Sequence, residues 1–145
     1  MKIVVEDVAD GQEEEIIIRC QKLDDHLMSL IYGLKMNKEK LCCTLDGAVY
    51  MVALKDIYYF EGVDNKVFAY CAKEVYEVKY KLYEIEERYQ HTDFIRASKS
   101  AIINLEQIVS VVPIFNGRFE ALLKNKEKVI ISRQYVPALK EKLGL

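Results

Sequence analysis

The chain has 145 residues, of which 51% are hydrophobic and 30% are charged, and its formal net charge is −2 at pH 7. This length suffices for one domain with its own hydrophobic core, or for one domain with an added element. No apolar run is long enough to cross a bilayer and no cleavable signal pattern is present, so we expect a cytoplasmic protein.

The charges are distributed unevenly along the chain. Residues 1–38 carry 5 Lys/Arg and 8 Asp/Glu, residues 39–90 carry 7 and 10, and residues 91–145 carry 9 and 5. The corresponding net charges are −3, −3 and +4. A basic last third permits a positive face for nucleic acid even though the whole chain is slightly acidic.

The residue types needed for catalysis or metal binding do not occur in recognisable patterns. Two of the four cysteines are adjacent, no Cys-x-x-Cys pair exists, and both histidines are distant from them in the sequence. Glycine-rich phosphate loops, His-Glu-x-x-His and Gly-x-Ser-x-Gly are also missing. We therefore expect no enzyme, no metal, no cofactor and no small-molecule substrate. The cysteines, expected as small buried or half-buried thiols in strands, are Cys20, Cys42, Cys43 and Cys71.

The first 38 residues predict a short strand followed by a long helix. Residues 1–5 are typical of a strand, and residues 13–34 of a helix with three glutamates in its first turn. Apolar residues at alternating spacings of 4 and 3 form one stripe on that helix. The stripe permits packing across a sheet or self-association, and packing is favoured because three heptads are near the minimum for a coiled coil. Its residues are Ile16, Cys20, Leu23, Leu27, Leu30 and Leu34.

From residue 40 onward, short strands alternate with turns. The closing helix contains Pro137, which is compatible only with its first turn, so that helix should begin at about Val136. The pattern predicts a mainly β fold of antiparallel sheets with short helices, preceded by the strand and the long amphipathic helix. Predicted strands are 41–45 and 49–54 around Asp46-Gly47, 56–61, 67–72, 75–78, 108–115, 119–123 and 129–131, with a helix over 79–89.

The stretch from residue 94 to residue 105 is the clearest candidate for recognition. Arg96 and Ser98 share one face of a short alternating run, and Lys99 and Ser100 come directly before an apolar segment. A helical turn is predicted to begin at Asn104. Polar donors held between two anchored apolar segments suit contacts to an acceptor-rich partner such as nucleic acid.

Taken in order, these motifs resemble the LytTR DNA-binding domain. The likeness covers about residues 40–145 and divides the chain into a 1–38 extension, for dimerisation or regulation, and a 39–145 DNA-binding domain. The family's central motif, Phe-x-Arg followed by polar residues, Ser and hydrophobic-Asn-hydrophobic, is met by Phe94, Arg96, Ser98, Lys99, Ser100, Ile103, Asn104, Leu105 and Ile108. Its other landmarks are Asp56-Ile-Tyr-Tyr-Phe-Glu61, Asn116-Gly117 and Ile131-Ser-Arg-Gln-Tyr135.

The resemblance implies a bacterial transcriptional regulator that reads major grooves with loop side chains and bends DNA, often at direct repeats. Lys99 occupies a base-reading place and can donate to guanine O6 and N7, whereas Gln134 replaces the usual arginine and suits adenine. Ser98 stands where many members have histidine. The three regions carried over are Asn65-Lys66, Ser98-Lys99-Ser100 and Arg133-Gln134, and the expected phosphate contacts are Arg96, Ser100, Arg118 and Arg133.

Several of these side chains also have structural interpretations. Arg96 can pair with a carboxylate across the sheet, and Ser100 can cap a following turn. Asn104 and Ser132 fit the pattern of helix N-caps. Lys66 and Arg133 can simply be solvated charges.

Partners follow from the same likeness. We expect double-stranded DNA, a homodimer, and a small membrane protein that restrains the regulator; a 38-residue leader is too short for a phosphoacceptor receiver domain. The alternative is a protein-interaction module, based on the β domain or on residues 13–34, with weak or no DNA binding. The salt dependence of DNA binding distinguishes the two.

Overall fold

The computed structural model describes residues 1–35 and 40–145, and the chain divides into two compact units, Met1–Lys35 and Met36–Leu145. The described residues form three α-helices and ten strands. The helices are α1 Asp25–Lys35, α2 Leu82–Arg88 and α3 Val136–Leu143. The strands are β1 Lys40–Leu45, β2 Ala48–Ala53, β3 Ile57–Val63, β4 Lys66–Cys71, β5 Val75–Val78, β6 Phe94–Ser98, β7 Ala101–Asn104, β8 Ile108–Pro113, β9 Phe119–Leu123 and β10 Lys128–Ile131.

The first unit is less regular than the sequence predicts. Residues 1–24 form neither strand nor helix, so the strand predicted over residues 1–5 is wrong, and α1 begins at Asp25 instead of residue 13. A strand needs a neighbouring strand for its backbone hydrogen bonds, and the described part of this unit contains no other strand. The helix is shortened because Asp24 caps it: its Oδ1 accepts from the Leu27 N–H at 2.8 Å, and its carbonyl accepts from the Met28 N–H at 2.9 Å.

The second unit confirms the predicted mainly β fold. Its seven-stranded sheet has the order β2-β1-β5-β4-β3-β7-β6 and its three-stranded sheet the order β10-β9-β8, with every pair antiparallel. The predicted Asp46-Gly47 hairpin is confirmed, with φ of 50° and 80° at the two turn residues. The loop predicted from residue 62 to residue 66 is shorter, because only Asp64 and Asn65 separate β3 from β4.

Two hydrophobic cores cover the two faces of the large sheet where β6 and β7 lie. Successive residues of a strand point to opposite faces, so Phe94 joins the core beneath α2 whereas Ile95 and Ala97 join the core beneath α3 and the small sheet. On β7, Ile102 and Ile103 divide in the same way. The turn between β6 and β7 is therefore anchored by buried side chains on both sides.

Asn104 is buried, with 1% of its surface exposed, and it confirms the predicted N-cap. Its Oδ1 accepts from the Glu106 N–H at 3.0 Å, which starts a 3-10 turn, and its Nδ2 donates to the Ile57 carbonyl at 2.8 Å. This one amide joins the end of β7 to the start of β3.

The closing helix begins at a residue that leaves its proline in the first turn. α3 starts at Val136 with Pro137 in its first turn, which confirms the sequence expectation. Ser132 occupies an N-cap position as predicted, but it caps the 3-10 turn before α3, and its hydroxyl makes no capping hydrogen bond among the described residues. Only its backbone carbonyl starts the 3-10 turn Arg133–Tyr135, by accepting from the Tyr135 N–H at 2.8 Å.

All four cysteines are free thiols. Cys43 is buried in β1 and Cys71 is half-buried in β4, as expected, but Cys42 is exposed, and Cys20 is exposed outside any strand. Among the described residues, no group of three metal-ligating side chains comes together. None of the helices in the described ranges combines the length and the apolar character that a membrane span requires.

Candidate nucleic-acid interface

Lys99 and Ser100 form the tight turn between β6 and β7. Ser98 pairs with Ala101 across the hairpin, so only these two residues make the connection. The Ser100 N–H donates to the Ser98 Oγ at 3.2 Å, and both turn residues are exposed. The alternative in which Ser100 caps a following helical turn is wrong, because β7 begins at the next residue.

Arg96 is held against the protein instead of reaching into solvent. Its side chain is 17% exposed, and its Nη1 lies 3.2 Å from the Glu86 Oε2 on α2. Its Nη2 donates to the Lys99 carbonyl at 3.0 Å. The carboxylate-pairing interpretation is thus confirmed, although the carboxylate comes from a helix and not from the sheet.

The turn between β3 and β4 and the Lys99 turn lie at the same end of the strands of the large sheet. β3 is antiparallel to β7, with Glu61 opposite Ala101, and the Gly62 N–H donates to the Ser100 carbonyl at 2.8 Å. Asn65 follows in this turn with a φ of 64° and is exposed. The exposed Lys66 starts β4, with its Nζ 4.0 Å from the Glu77 Oε1.

The third predicted region is attached directly to β6. The Ser132 N–H donates to the Ala97 carbonyl at 2.8 Å, two residues before Lys99. Arg133 and Gln134 follow in the 3-10 turn, and both are exposed. A single backbone hydrogen bond therefore places this turn beside the Lys99 turn.

A fourth loop, between β8 and β9, packs on Arg133. Gly117 has a φ of 72°, and a Cβ built on it would lie 3.0 Å from the Arg133 Cδ. The Arg118 Nε donates to the Phe115 carbonyl at 3.1 Å, which shapes the loop. Phe115 itself is 80% exposed. The sequence pattern assigned Phe115 to a strand, but β8 ends at Pro113; proline's missing N–H was the signal for that end.

The structure therefore gathers the predicted site residues at one edge of the second unit. Two backbone hydrogen bonds and the packing of Gly117 on Arg133 connect the loops. The basic side chains of the last third are not all there, because the turn between β9 and β10, with Lys124 and Lys126, lies at the other end of β9. There the Lys124 N–H donates to the Gln107 carbonyl at 2.9 Å. The gathered residues are Asn65, Lys66, Arg96, Ser98, Lys99, Ser100, Arg118, Arg133 and Gln134.

This arrangement suits a partner rich in hydrogen-bond acceptors. Cations, amides and hydroxyls project from short turns that buried strands anchor, and exposed lysine and arginine can neutralise phosphates. Base edges in a major groove are read by the same side-chain types. The edge also carries the exposed Asp64 and the half-buried Glu77, so its charge is mixed.

Known proteins resemble this chain in sequence over most of the second unit. The LytTr DNA-binding domain family matches residues 47–144. The sensory transduction protein LytT of Enterococcus faecalis is 36% identical over 97 residues, which cover 67% of this chain but only 40% of that protein. An uncharacterized HTH-type transcriptional regulator of Staphylococcus aureus strain N315 is 30% identical over 140 residues, covering 94% of each chain.

A solved structure shows the same fold. A LytTr DNA-binding domain from Bacillus cereus matches with a TM-score of 0.71 and 25% sequence identity, covering 75% of this chain and 100% of that one. The matched residues include every strand of the large sheet except β1, the whole small sheet and all four loops described above. The chain therefore belongs to the LytTr DNA-binding domain family.

Proposed function

We propose that this protein is a sequence-specific transcriptional regulator that reads duplex DNA with loop side chains. The observation that carries the proposal is the meeting of separately predicted loops at one edge, through the Gly62–Ser100 and Ala97–Ser132 hydrogen bonds. In the described ranges, strands separate every α-helix from the next, so these ranges contain no helix-turn-helix pair. The likeness to the family assigns the groove contacts to loops.

The polar side chains at this edge divide by chemistry into those that suit base edges and those that suit phosphates. Lys99 stands at the tip of the β6–β7 turn and suits guanine O6 and N7, and Gln134 suits adenine N6 and N7. Asn65, Lys66 and Ser98 complete the base-facing set. Phosphate contacts, which orient the protein without specifying sequence, are assigned to Ser100, Arg118 and Arg133. The 17% exposure of the Arg96 side chain argues against a phosphate contact there.

Bending of the duplex and binding to direct repeats are part of the proposal. Both rest on the likeness to the family. A rigid protein edge that touches successive groove faces can engage all of them only if the duplex curves towards it. The deformation costs on the order of 1–6 kcal/mol, which the added contacts must offset.

The first unit is proposed to mediate assembly and regulation. α1 exposes apolar side chains without burying them in its own unit, with Met28 at 48%, Leu30 at 42% and Leu34 at 51% exposure. We assign to residues 1–38 contacts with a second copy, in a homodimer, or with a small membrane protein that restrains a cytoplasmic regulator. Replacing Leu23 and Leu27 by glutamate should lower the sedimentation coefficient of the assembly; an unchanged assembly would remove this role.

The alternative function is a protein-interaction module with little DNA affinity, and salt dependence decides between the two. Duplexes selected from a random pool should bind with a slope of log Kobs against log salt of about −4 to −5, if about five phosphates are neutralised. A slope near zero, or failure to select any duplex, would favour the interaction module. The measurement is a fluorescence anisotropy titration at several salt concentrations.

A further inference from the structure

We propose that Arg96 and Glu86 form a positioning pair that sets the backbone of the β6–β7 turn and thereby orients Lys99. This inference deepens the proposed function and rests on it. It makes Arg96 a support for Lys99, the proposed base-reading residue, instead of a phosphate contact. It also assigns a role in DNA reading to Glu86, a residue of a helix that carries none of the proposed DNA contacts.

The geometry shows one guanidinium bridging two elements. Nη2 donates to the Lys99 carbonyl at 3.0 Å, while Nη1 lies 3.2 Å from the Glu86 Oε2. Among the described residues, neither Nε nor Nη1 has a hydrogen-bond partner, so Nη1 meets Glu86 as an ion pair and not through a hydrogen bond. The cation is largely removed from solvent and relies on Glu86 for charge compensation. The planar arginine fork can satisfy both contacts at once, whereas the single ammonium of a lysine cannot reproduce them.

The Arg96 contact adds to the buried side chains and hydrogen bonds that already anchor the turn, at the point where the pairing of β6 with β7 is interrupted. The pairing register of β6 and β7 shifts between Arg96 and Ser98, which is a bulge directly before the turn. A bulge interrupts the ladder of hydrogen bonds and re-aims the residues that follow. The backbone at Glu86 is held in place, because its neighbour Ile85 is 0% exposed and packs α2 on the sheet, while the Glu86 side chain is 49% exposed. Arg96 transmits that fixed position to the Lys99 carbonyl.

The consequence concerns specificity more than affinity. A lysine ends in a compact charge on a flexible stem, so its discrimination between bases depends on where the backbone holds its Cα. Loosening the turn lets the ammonium reach other acceptors, including phosphates. Loss of the positioning pair should therefore lower the discrimination at the Lys99 base while leaving the number of neutralised phosphates unchanged.

The test compares Arg96→Lys, Arg96→Gln, Glu86→Gln and the matched control Glu87→Gln. Glu87 is the next residue of α2, is exposed, and makes no ion pair within the described residues. The readouts are the affinity ratio between the selected duplex and its variant at the Lys99 base, and the salt slope. Amide hydrogen exchange at residues 99–101 is measured without DNA, so that it tests the turn independently.

We expect Arg96→Lys and Glu86→Gln each to lower the affinity ratio about tenfold and to speed amide exchange in the turn, while Glu87→Gln changes neither. Arg96→Gln should keep the wild-type salt slope, whereas loss of a phosphate contact would make it less negative by about 0.9. A slope changed by that amount, or a Glu86→Gln variant with wild-type discrimination and exchange, overturns the inference. If the wild-type protein selects no duplex, the proposed function fails, and faster exchange in Arg96→Lys and Glu86→Gln still decides whether the pair holds the turn.

Discussion

Gly117→Ala should weaken both folding and DNA binding, through two separable causes. Gly117 has a φ of +72°, a backbone conformation that side chains with a Cβ rarely adopt. A Cβ at this position would also lie 3.0 Å from the Arg133 Cδ and 3.2 Å from its Cγ. The first cause acts on the backbone of the β8–β9 loop, and the second acts on the stem of a proposed phosphate-binding arginine.

The expected changes in stability and in DNA affinity follow from these two causes. The left-handed conformation costs an alanine about 1–2 kcal/mol, and the smaller conformational freedom of alanine in the unfolded chain returns about 0.4–1 kcal/mol. The free energy of unfolding should thus fall by about 1 kcal/mol. The clash can be relieved by moving the flexible Arg133 stem, which displaces the guanidinium. Losing that phosphate contact should raise Kd about fivefold, or about 1 kcal/mol, and make the salt slope less negative by about 0.9.

Gly47→Ala is the matched control. Gly47 has a φ of +80° in the β1–β2 turn, and a Cβ added there would meet no atom of the described residues within 4 Å. Three strands lie between β1 and β7 in the large sheet, so at about 4.8 Å per strand these two strands are about 19 Å apart. The antiparallel order also puts the β1–β2 turn and the Lys99 turn at opposite ends of the sheet. The control therefore carries the same backbone cost without touching Arg133.

Urea unfolding followed by circular dichroism gives the stabilities, and anisotropy titrations at several salt concentrations give Kd and the slope. Both variants should unfold at lower urea, and only Gly117→Ala should bind less tightly. Wild-type affinity and slope in Gly117→Ala would refute the assignment of Arg133 to a phosphate. An equal loss of affinity in Gly47→Ala would show that binding follows stability and not the position of Arg133.

Three further outcomes are expected. Lys99→Ala should lose about 1–3 kcal/mol of specific binding free energy and accept more than one base pair at the position that Lys99 contacts. Lys124→Ala, at the other end of β9, should keep the wild-type base preference. If both variants select identical sequences, Lys99 does not read a base. Asn104→Ala should lower the free energy of unfolding by about 3 kcal/mol, because it removes an N-cap and the amide that donates to the buried Ile57 carbonyl. Urea unfolding measures this change, and a loss below about 1 kcal/mol would contradict it. Burial and neighbouring thiols raise the pKa of Cys43 to about 12, so at pH 8 Cys43 stays a neutral thiol. It should therefore resist iodoacetamide in the folded protein, while the exposed Cys42 is alkylated. Mass spectrometry after a timed reaction shows which of the two cysteines is alkylated first.

Features that depend on neighbouring residues in the chain were predictable. The Asp46-Gly47 hairpin follows from turn chemistry, because these residues tolerate positive φ. The Asn104 cap and the first-turn place of Pro137 follow from which backbone groups a helical turn leaves free. The ordered set of motifs also predicted the family, since each motif reports a local conformation that the fold requires.

Features that depend on a partner elsewhere in the chain were decided by the tertiary structure. The strand predicted over residues 1–5 has no neighbouring strand in the described part of its unit, and the helix predicted from residue 13 forms only after Asp24, where a cap satisfies its first N–H groups. Residues 16–18 are three consecutive isoleucines, whose β-branched side chains add to the cost of a helix that buries no face.

The same division holds for the site. The sequence by itself determined which side chains can donate to DNA, because that property belongs to the residue type. Only the folded chain decided that Arg96 binds Glu86 and the Lys99 carbonyl, and that Ser132 reaches Ala97, 35 positions earlier. Hydrogen bonds between distant segments form when strands pair and cores close, and that geometry sets which donors remain free at the edge.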